Sequence, residues 1–355
     1  MRAIILVGGE GTRMRPLTWR TPKALVPVLG VPLLDQLLLH LRRHGIERAT
    51  LAMTQRNTHS AEAIREAYED GARLGMAVDY AYEDTPLGSG GAIAGIAGGW
   101  DETFVVVNGD VITDLDVTAM VEHHRARQAV LSISLHEVED PSPFGVVDLA
   151  EDGRIRRFVE KPPRAEAPSR LINAGTWIFE PHLVGMLDAQ AFNRVEDTLF
   201  PTLCAQGEAV FGFHRPAYWS DVGTPEALRR VNLDMARGLV ASPATPPVTG
   251  GVYVDPTASI EDGAHIEAPA VIGAGSRVAA GARVCASVLW AGVHIEEGAI
   301  IEDSVLASGV HVGAGATVRA SVVAHGAIVD AGASLDGVSV EPADVAAIAE
   351  EARLG

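Results

Sequence analysis

Lysine is nearly absent from this 355-residue chain. Only Lys23 and Lys161 occur among its 28 basic residues; the rest are arginine. A chain written this way keeps lysine where a compact, mobile point charge serves better than a planar guanidinium fork, so both lysines become candidate site residues. Positive charge is scarce altogether: 46 acidic residues against the 28 basic ones give a formal net charge of −18. That argues against a nucleic-acid or anionic-membrane surface, because both need a basic face. An anionic substrate must then be met by a few well-placed cations. Cysteine is rare too. Cys204 and Cys285 lie far apart and match no metal or redox spacing, so each is expected as a small buried hydrophobe outside any disulfide. No run of about 18 apolar residues occurs, so no membrane-spanning helix is expected. Met1-Arg2 leads straight into a strand rather than a signal core, which points to the cytoplasm.

The stretch that organises the chain runs from Ala3 to Val28, AIILVGGEGTRMRPLTWRTPKALVPV. Ile4-Ile5-Leu6-Val7 has the composition of a strand buried on both faces. Gly8, Gly9 and Gly11 follow at once, and glycines after a buried strand let backbone N–H groups turn toward a phosphate. Arg13, Arg15 and Lys23 add three cations to the same segment. The string Gly-Gly-x-Gly-Thr-Arg, then Pro16-Leu17-Thr18, Pro22-Lys23 and Val26-Pro27-Val28, resembles the signature of the sugar-nucleotide pyrophosphorylases. Members of that family, the sugar-1-phosphate nucleotidyltransferases, join a nucleoside triphosphate to a sugar 1-phosphate. Met14 replaces the usual leucine, a volume-conserving exchange. The resemblance implies nucleotide contacts at Leu6, Gly8, Gly9, Gly11, Thr12 and Arg13, and catalytic roles for Arg13 and Lys23.

Beyond this stretch, strands and helices alternate. Leu33, Leu34, Leu37, Leu38 and Leu41 predict an amphipathic helix over Val31–His44, and Ser60 is a plausible cap for a helix reaching Tyr68. Strands are expected at 49–53, 77–82, 104–107 and 131–135, with a hairpin about Glu151-Asp152-Gly153. The pattern is that of an α/β, Rossmann-like domain with a mixed, mostly parallel sheet, whose ligands bind at the carboxyl ends of strands.

Residues 83–93, EDTPLGSGGAI, resemble the family's base-binding segment, with Gly88 at its turn. Glu83 is informative because a carboxylate only accepts hydrogen bonds, while guanine's N1–H and N2–H₂ edge only donates. Asn108-Gly109-Asp110 closes a buried strand, and Asp110 matches the family's magnesium-binding aspartate. Asp114 and Asp116 read as a turn and a helix cap. Glu160-Lys161-Pro162 resembles the segment that sets a carboxylate on sugar hydroxyls and an ammonium on the sugar phosphate. Gly109 and Asn173 are further sugar-phosphate candidates by the same resemblance. Glu196, in EDTLFP, receives only a weak functional vote. Tyr218–Pro225, YWSDVGTP, resembles the second metal-binding segment, with Asp221 completing a Mg²⁺ site opposite Asp110.

These motifs span a catalytic domain over 1–238, followed by an Ala-, Pro- and Thr-rich linker over 239–251. Past it the period changes. Val254, Ile260, Ile266, Ile272, Val278 and Val284 recur every six residues, and three units of 17 then begin at Ser287, Ser304 and Ser321. A hexapeptide period predicts a parallel β-helix over 252–338, resembling the left-handed β-helix attached to several of these enzymes. Residues 339–355 are expected to close it, with a helix over Glu341–Leu354. Open coil ends and long edges predict a homo-oligomer through the β-helix.

The reaction expected from the resemblance and from Glu83 is GTP plus mannose 1-phosphate giving GDP-mannose and pyrophosphate, with Mg²⁺. Arg13, Lys23, Asp110, Lys161 and Asp221 carry it. Three alternatives stand beside this. One is the same chemistry with dTTP or UTP and glucose 1-phosphate. Another is a catalytically silent sugar-nucleotide-binding subunit. The third is an added acyl transfer by the β-helix, with His265, His294, His311 and His325 as candidate bases.

Overall fold

The computed structural model describes residues 1–54 and 58–344. From residue 345 on, the expected closing helix lies outside the described residues. Packing divides the chain into two compact units, Met1–Gly9 with Leu37–Trp219 and Glu10–Gln36 with Ser220–Gly355.

The first unit is built on a nine-stranded sheet: β1 (Arg2–Leu6), β2 (Arg48–Thr54), β3 (Ala77–Glu83), β4 (Phe104–Asn108), β5 (Leu131–Glu137), β6 (Gly145–Leu149), β7 (Ile155–Glu160), β8 (Leu171–Phe179) and β9 (Val210–His214). The order is β7-β6-β8-β4-β1-β2-β3, with β5 pairing β8 and β9. Strands β3, β2, β1 and β4 run parallel, so their carboxyl ends form a row. Leu6 stands opposite Ala52 and Asn108, and Thr54 opposite Glu83. Ala3, Ile4 and Ile5 are fully buried, as the continuous apolar run of β1 requires of a central parallel strand. Strand β8 reverses the direction and pairs antiparallel with β4, β5 and β6. Its Trp177 and Phe179, with Phe104 of β4 and Phe200 of α5 (Leu199–Ala205), make an aromatic cluster with centroids 5.2–6.3 Å apart. Such edge-to-face and offset contacts add about 0.5–1.5 kcal/mol per pair beyond area burial.

Local details differ from expectation where tertiary pairing intervenes. Val31-Pro32 pairs with Pro27-Val28, so α1 starts later, at Leu33, and runs to Arg43. Helix α2 is already under way at Thr58, leaving Ser60 inside its first turn rather than at its cap. Asp116 does cap α4 (Val117–Ala126), accepting from Ala119 N at 2.9 Å, and Asp114 accepts from Tyr218 N at 2.7 Å.

The second unit holds the β-helix: three parallel sheets of six, five and five short strands between Val252 and Val340, the arrangement expected of the left-handed form. Ile272, Val278, Val284, Leu289, Ile295, Ile301, Leu306, Val312 and Val318 fill its interior. Val254 of the first coil is 38% exposed, since only one neighbouring coil covers it. Where the aliphatic spacing drops from six residues to five, from Val284 to Leu289, Ile301 to Leu306 and Val318 to Val323, the cause is local. Ala286, Asp303 and Ala320 take left-handed conformations, with φ of 47°, 51° and 45°, and cut the corner by one residue. The serine after each is buried and donates to the carbonyl two residues back. Its hydroxyl oxygen also accepts from the backbone N–H one coil on. Each strained corner is thus satisfied by its own side chain. Cys285 lies beside the first of these corners and is half-buried, not buried as expected; Cys204 is buried, and both are free thiols.

The same unit contains the segment from Glu10 to Gln36. Asn232, fully buried in α6 (Pro225–Ala236), accepts from Leu29 N at 2.8 Å and donates to Leu228 O at 2.9 Å. Losing it would orphan buried backbone groups at a cost of about 1–3 kcal/mol.

Candidate active site

In the first unit the site candidates collect along the carboxyl ends of the parallel strands. Leu6 ends β1, and Gly8 and Gly9 follow it exposed. Gly109 donates its N–H to Leu6 O at 3.0 Å. A Cβ there would lie 2.5 Å from Val7 Cγ1 and 2.9 Å from Leu6 O. Only glycine allows the turn after β4 to close on β1 this way, and that closure sets Asp110 at the strand end. Gly175 is in the left-handed region at φ 76°, its Cα face against the Asn108 side chain. Asn173 accepts at Oδ1 from Gly175 N (3.1 Å) and Trp177 Nε1 (2.7 Å). Both partners are donors, so the amide oxygen is committed and Asn173 presents its NH₂ as a donor.

Val146 pairs with Ile172, and Gly145 with Glu160, so the stagger of β6 and β7 sets Glu160 level with the start of β8. Lys161 then takes φ 45°, a strained value for a non-glycine residue, with its N–H on Phe144 O at 3.0 Å. Its Nζ lies 3.6 Å from Glu160 Oε1.

Glu83 ends β3. Its Oε2 accepts from Leu87 N at 3.1 Å, whereas Oε1 is buried with no hydrogen-bond partner among the described residues. Burial pushes its pKa up, and the Leu87 hydrogen bond only partly opposes this. Gly88, at φ 75°, opens α3 (Gly88–Ala97); a Cβ on it would meet Asn193 O at 2.4 Å.

A network that sequence reasoning missed joins these segments. Ser89 donates to Glu196 Oε2 at 2.7 Å and accepts from Val195 N at 3.0 Å. Gly90 N donates to Asn193 O, and Asn193 N to Leu87 O, at 3.0 and 2.8 Å. Arg194 reaches Glu160 Oε1 at 3.0 Å and lies within 4 Å of Glu196 and Asp197. Burial raises the pKa of Glu196, with Ser89 and Arg194 opposing. The one available signal was EDTLFP itself; nothing in it marked Arg194, two residues upstream of Glu196.

The second unit carries the other candidates. Gly11, at φ 64°, starts a short 3₁₀ turn over Thr12–Met14 and accepts Thr18 Oγ1 at 2.7 Å. A Cβ on Gly11 would come within 3.1 Å of Lys23 Cβ, so the loop folds Lys23 back against it. Arg13 and Asp221 both line Gly223. A Cβ there would sit 3.0 Å from Arg13 Nη2 and 3.1 Å from Asp221 Oδ1. The buried glycine therefore keeps room for a cation and a carboxylate ahead of α6, whose first turn Thr224 caps by accepting from Ala227 N. Asp110 belongs to the first unit and Asp221 to the second. Each offers the hard oxygen donor that Mg²⁺ takes, and that ion is usually held by one or two carboxylates plus substrate phosphates. Among the described residues there is no group of three or more His, Cys, Asp or Glu that could hold a metal ion.

Of the four β-helix histidines, His265 is exposed, and His294 and His311 lie edge to face with centroids 6.2 Å apart. His325 instead turns toward the segment around Leu17.

Comparison with known proteins agrees with this architecture. Residues 2–238 match the family "Nucleotidyl transferase", and residues 248–351 match "GMPPB C-terminal domain". The chain is 36% identical to a mannose-1-phosphate guanylyltransferase of Mycobacterium tuberculosis over 81% of its own length and 79% of that protein. It is 32% identical to a UTP–glucose-1-phosphate uridylyltransferase of Synechocystis, covering 81% of this chain and 82% of the relative. Among solved structures, HddC from Yersinia pseudotuberculosis complexed with GMP-PN is similar with a TM-score of 0.56 at 28% identity, over 66% of this chain and 99% of the other. In the described residues no helix is long and apolar enough to cross a membrane. With a family match over two thirds of its length and relatives at this identity, the chain belongs to the nucleotidyl transferase family and is a nucleotidyltransferase.

Proposed function

We propose that this enzyme transfers a guanylyl group from GTP to mannose 1-phosphate, releasing pyrophosphate. A non-bridging oxygen of the sugar phosphate attacks the α-phosphorus in line. The bond from that phosphorus to the β-bridging oxygen breaks, and pyrophosphate leaves. The attacking group is already an anion, so catalysis rests on positioning and charge neutralisation rather than on a side-chain nucleophile. Arg13 neutralises the leaving β- and γ-phosphates and Lys23 the reacting ones. Lys161 holds the sugar phosphate, Glu160 accepts from sugar hydroxyls, and the Asn173 amide donates to one. Asp110 and Asp221 would hold Mg²⁺, which when bound supplies charge neutralisation at the phosphate oxygens.

The observation that carries the base assignment is Glu83, a carboxylate with one oxygen on Leu87 N and the other buried without a partner among the described residues. A carboxylate offers only acceptors, which suit guanine's N1–H and N2–H₂ edge better than a pyrimidine's carbonyl oxygens beside a single N3–H. The named guanylyltransferase relative supports the same choice. The uridylyltransferase relative defines the rival, and a grid of four nucleotides against four sugar 1-phosphates, read by pyrophosphate release, separates them. Preference for UTP or dTTP with glucose 1-phosphate would overturn the guanylyl reading. This reading extends to a cytoplasmic homo-oligomer formed through the β-helix, where Ile328 is 73% exposed. Light scattering giving a monomer mass would refute that part.

A further inference from the structure

The turn between Arg13 and Lys23 is too short to hold itself. Its 3₁₀ pieces, Thr12–Met14, Leu17–Trp19 and Lys23–Leu25, have three residues each. Inside the loop, Thr18 Oγ1 donates to Gly11 O, and the Thr18 and Lys23 side chains close on Gly11. Outside it, the support comes from the β-helix and the residues just after it. His325 Nε2 is 3.1 Å from Leu17 O and 3.2 Å from Thr21 Oγ1. Trp19 Nε1 donates to Glu341 Oε2 at 2.6 Å, and Arg20 pairs with Asp344. The His325 ring is itself fixed edge-on against the buried Trp290, centroids 5.3 Å apart. All of these residues belong to the second unit.

The chemistry at His325 is defined. A carbonyl oxygen can only accept, so Nε2 carries the proton that Leu17 O receives. Leu17 is fully buried, and a carbonyl there loses a partner it cannot replace from water if the imidazole is removed. Thr18, the next residue, holds Gly11, and Gly11 packs against Lys23 and precedes Thr12 and Arg13. One imidazole is therefore linked to Gly11 through the Leu17 and Thr18 hydrogen bonds, and Gly11 adjoins both Lys23 and the Thr12-Arg13 pair.

We propose that His325 is a positioning residue through which the β-helix holds the Leu17–Thr21 turn, and with it Arg13 and Lys23, in the geometry that receives the nucleotide phosphates. This rests on the reading above that the loop binds the triphosphate. It removes His325 from the candidate acyl-transfer bases, because its Nε2 is committed to the loop. It also makes the β-helix a structural part of nucleotide binding.

The test is steady-state kinetics with GTP and mannose 1-phosphate varied separately, together with calorimetric binding of GTP, on the full chain. His325→Phe keeps a ring against Trp290 and removes the donor; His325→Gln restores an amide donor. His325→Phe should raise KM for GTP and weaken GTP binding about tenfold while KM for the sugar phosphate stays within twofold, and His325→Gln should recover most of that loss. Trp19→Phe, a change at a partly exposed side chain that removes the donor to Glu341, should weaken GTP binding two- to threefold. Arg13→Ala serves as the control for the loop reading. If Arg13→Ala leaves GTP binding intact, the loop does not bind nucleotide and the reading beneath the proposal fails. If Arg13→Ala abolishes binding but His325→Phe and Trp19→Phe match the wild type, the coupling is refuted. Equal loss for both substrates, or no recovery in His325→Gln, also refutes it. Should His325→Phe fail to fold, Trp19→Phe and His325→Gln decide: wild-type GTP binding in the first would overturn the proposal.

Discussion

Arg194 Nη2 lies 3.0 Å from Glu160 Oε1, a contact between residues 34 positions apart that ties the segment ahead of α5 to the end of β7. The same guanidinium faces Glu196, which holds Ser89 at the start of α3. The elements assigned to the base and to the sugar therefore share one network of hydrogen bonds and ion pairs. Arg194→Met should raise KM for the sugar phosphate about fivefold, with kcat little changed. A half-exposed charged hydrogen bond is worth about 1 kcal/mol, between the exposed and buried limits. Arg194→Lys should recover little, because it cannot bridge several carboxylates as a fork does. Unchanged KM in Arg194→Met would show that Glu160 is held without it.

Lys161 is the second prediction. Its strained φ of 45° turns the side chain off the strand it follows. Lys161→Arg should raise KM for the sugar phosphate far more than for the nucleotide, since a planar fork cannot replace a point charge without moving the phosphate. Lys161→Gly, which relieves the backbone strain, should still lose the sugar-phosphate effect entirely. Equal effects on both substrates would show that the role is misassigned.

Glu83 gives a pH prediction. Burial raises its pKa, so protonation sets in at higher pH than for an ordinary glutamate. If Glu83 is guanine's acceptor, as proposed above, kcat/KM for GTP should fall on the acid side as pH drops through that raised value. The fall should be absent in Glu83→Gln; the wild type should favour GTP over dTTP by about tenfold or more, and that gap should narrow in the variant. An identical acid limb in both proteins would remove Glu83 from base recognition.

Asp110 and Asp221 make the metal prediction. EDTA should abolish turnover, and excess Mg²⁺ should restore it. Asp221→Asn should lower kcat at least a hundredfold, the scale of losing a charge-stabilising group in a reacting centre. Full activity in chelator would sink the two-carboxylate assignment.

His40 predicts acid instability. It is buried in α1, and burial with the nearby His44 lowers its pKa to about 4, the Leu115 backbone and Asp114 only partly opposing. The unfolded chain titrates near 6.5, so below that pH it binds the proton more tightly than the folded protein. Stability should therefore fall as pH drops from about 6.5 to 4, by about 3 kcal/mol from this one group. His40→Leu should flatten the decline in denaturant-melt midpoints over that range; an unaltered pH slope would assign the acid loss elsewhere.

By itself the sequence determined the features that repeat or stay local. The apolar run of β1, the glycines after it and the strand-end motifs at Asp110 and Glu160 are readable because each needs particular residues at adjacent positions. The hexapeptide period was readable for the same reason: every coil must fill the same narrow interior, so each repeats its aliphatic residues. Tertiary structure decided what depends on contacts between distant positions. It grouped Glu10–Gln36 with α6 and the β-helix, through Asn232 on Leu29 and His325 on Leu17, contacts spanning 203 and 308 residues. It likewise chose Arg194 for Glu160 and left one oxygen of Glu83 buried and unmatched. A single hydrogen bond between remote side chains imposes no period and needs no motif. Its partners are fixed only when the sheet register and the coil stacking bring them within about 3 Å of each other.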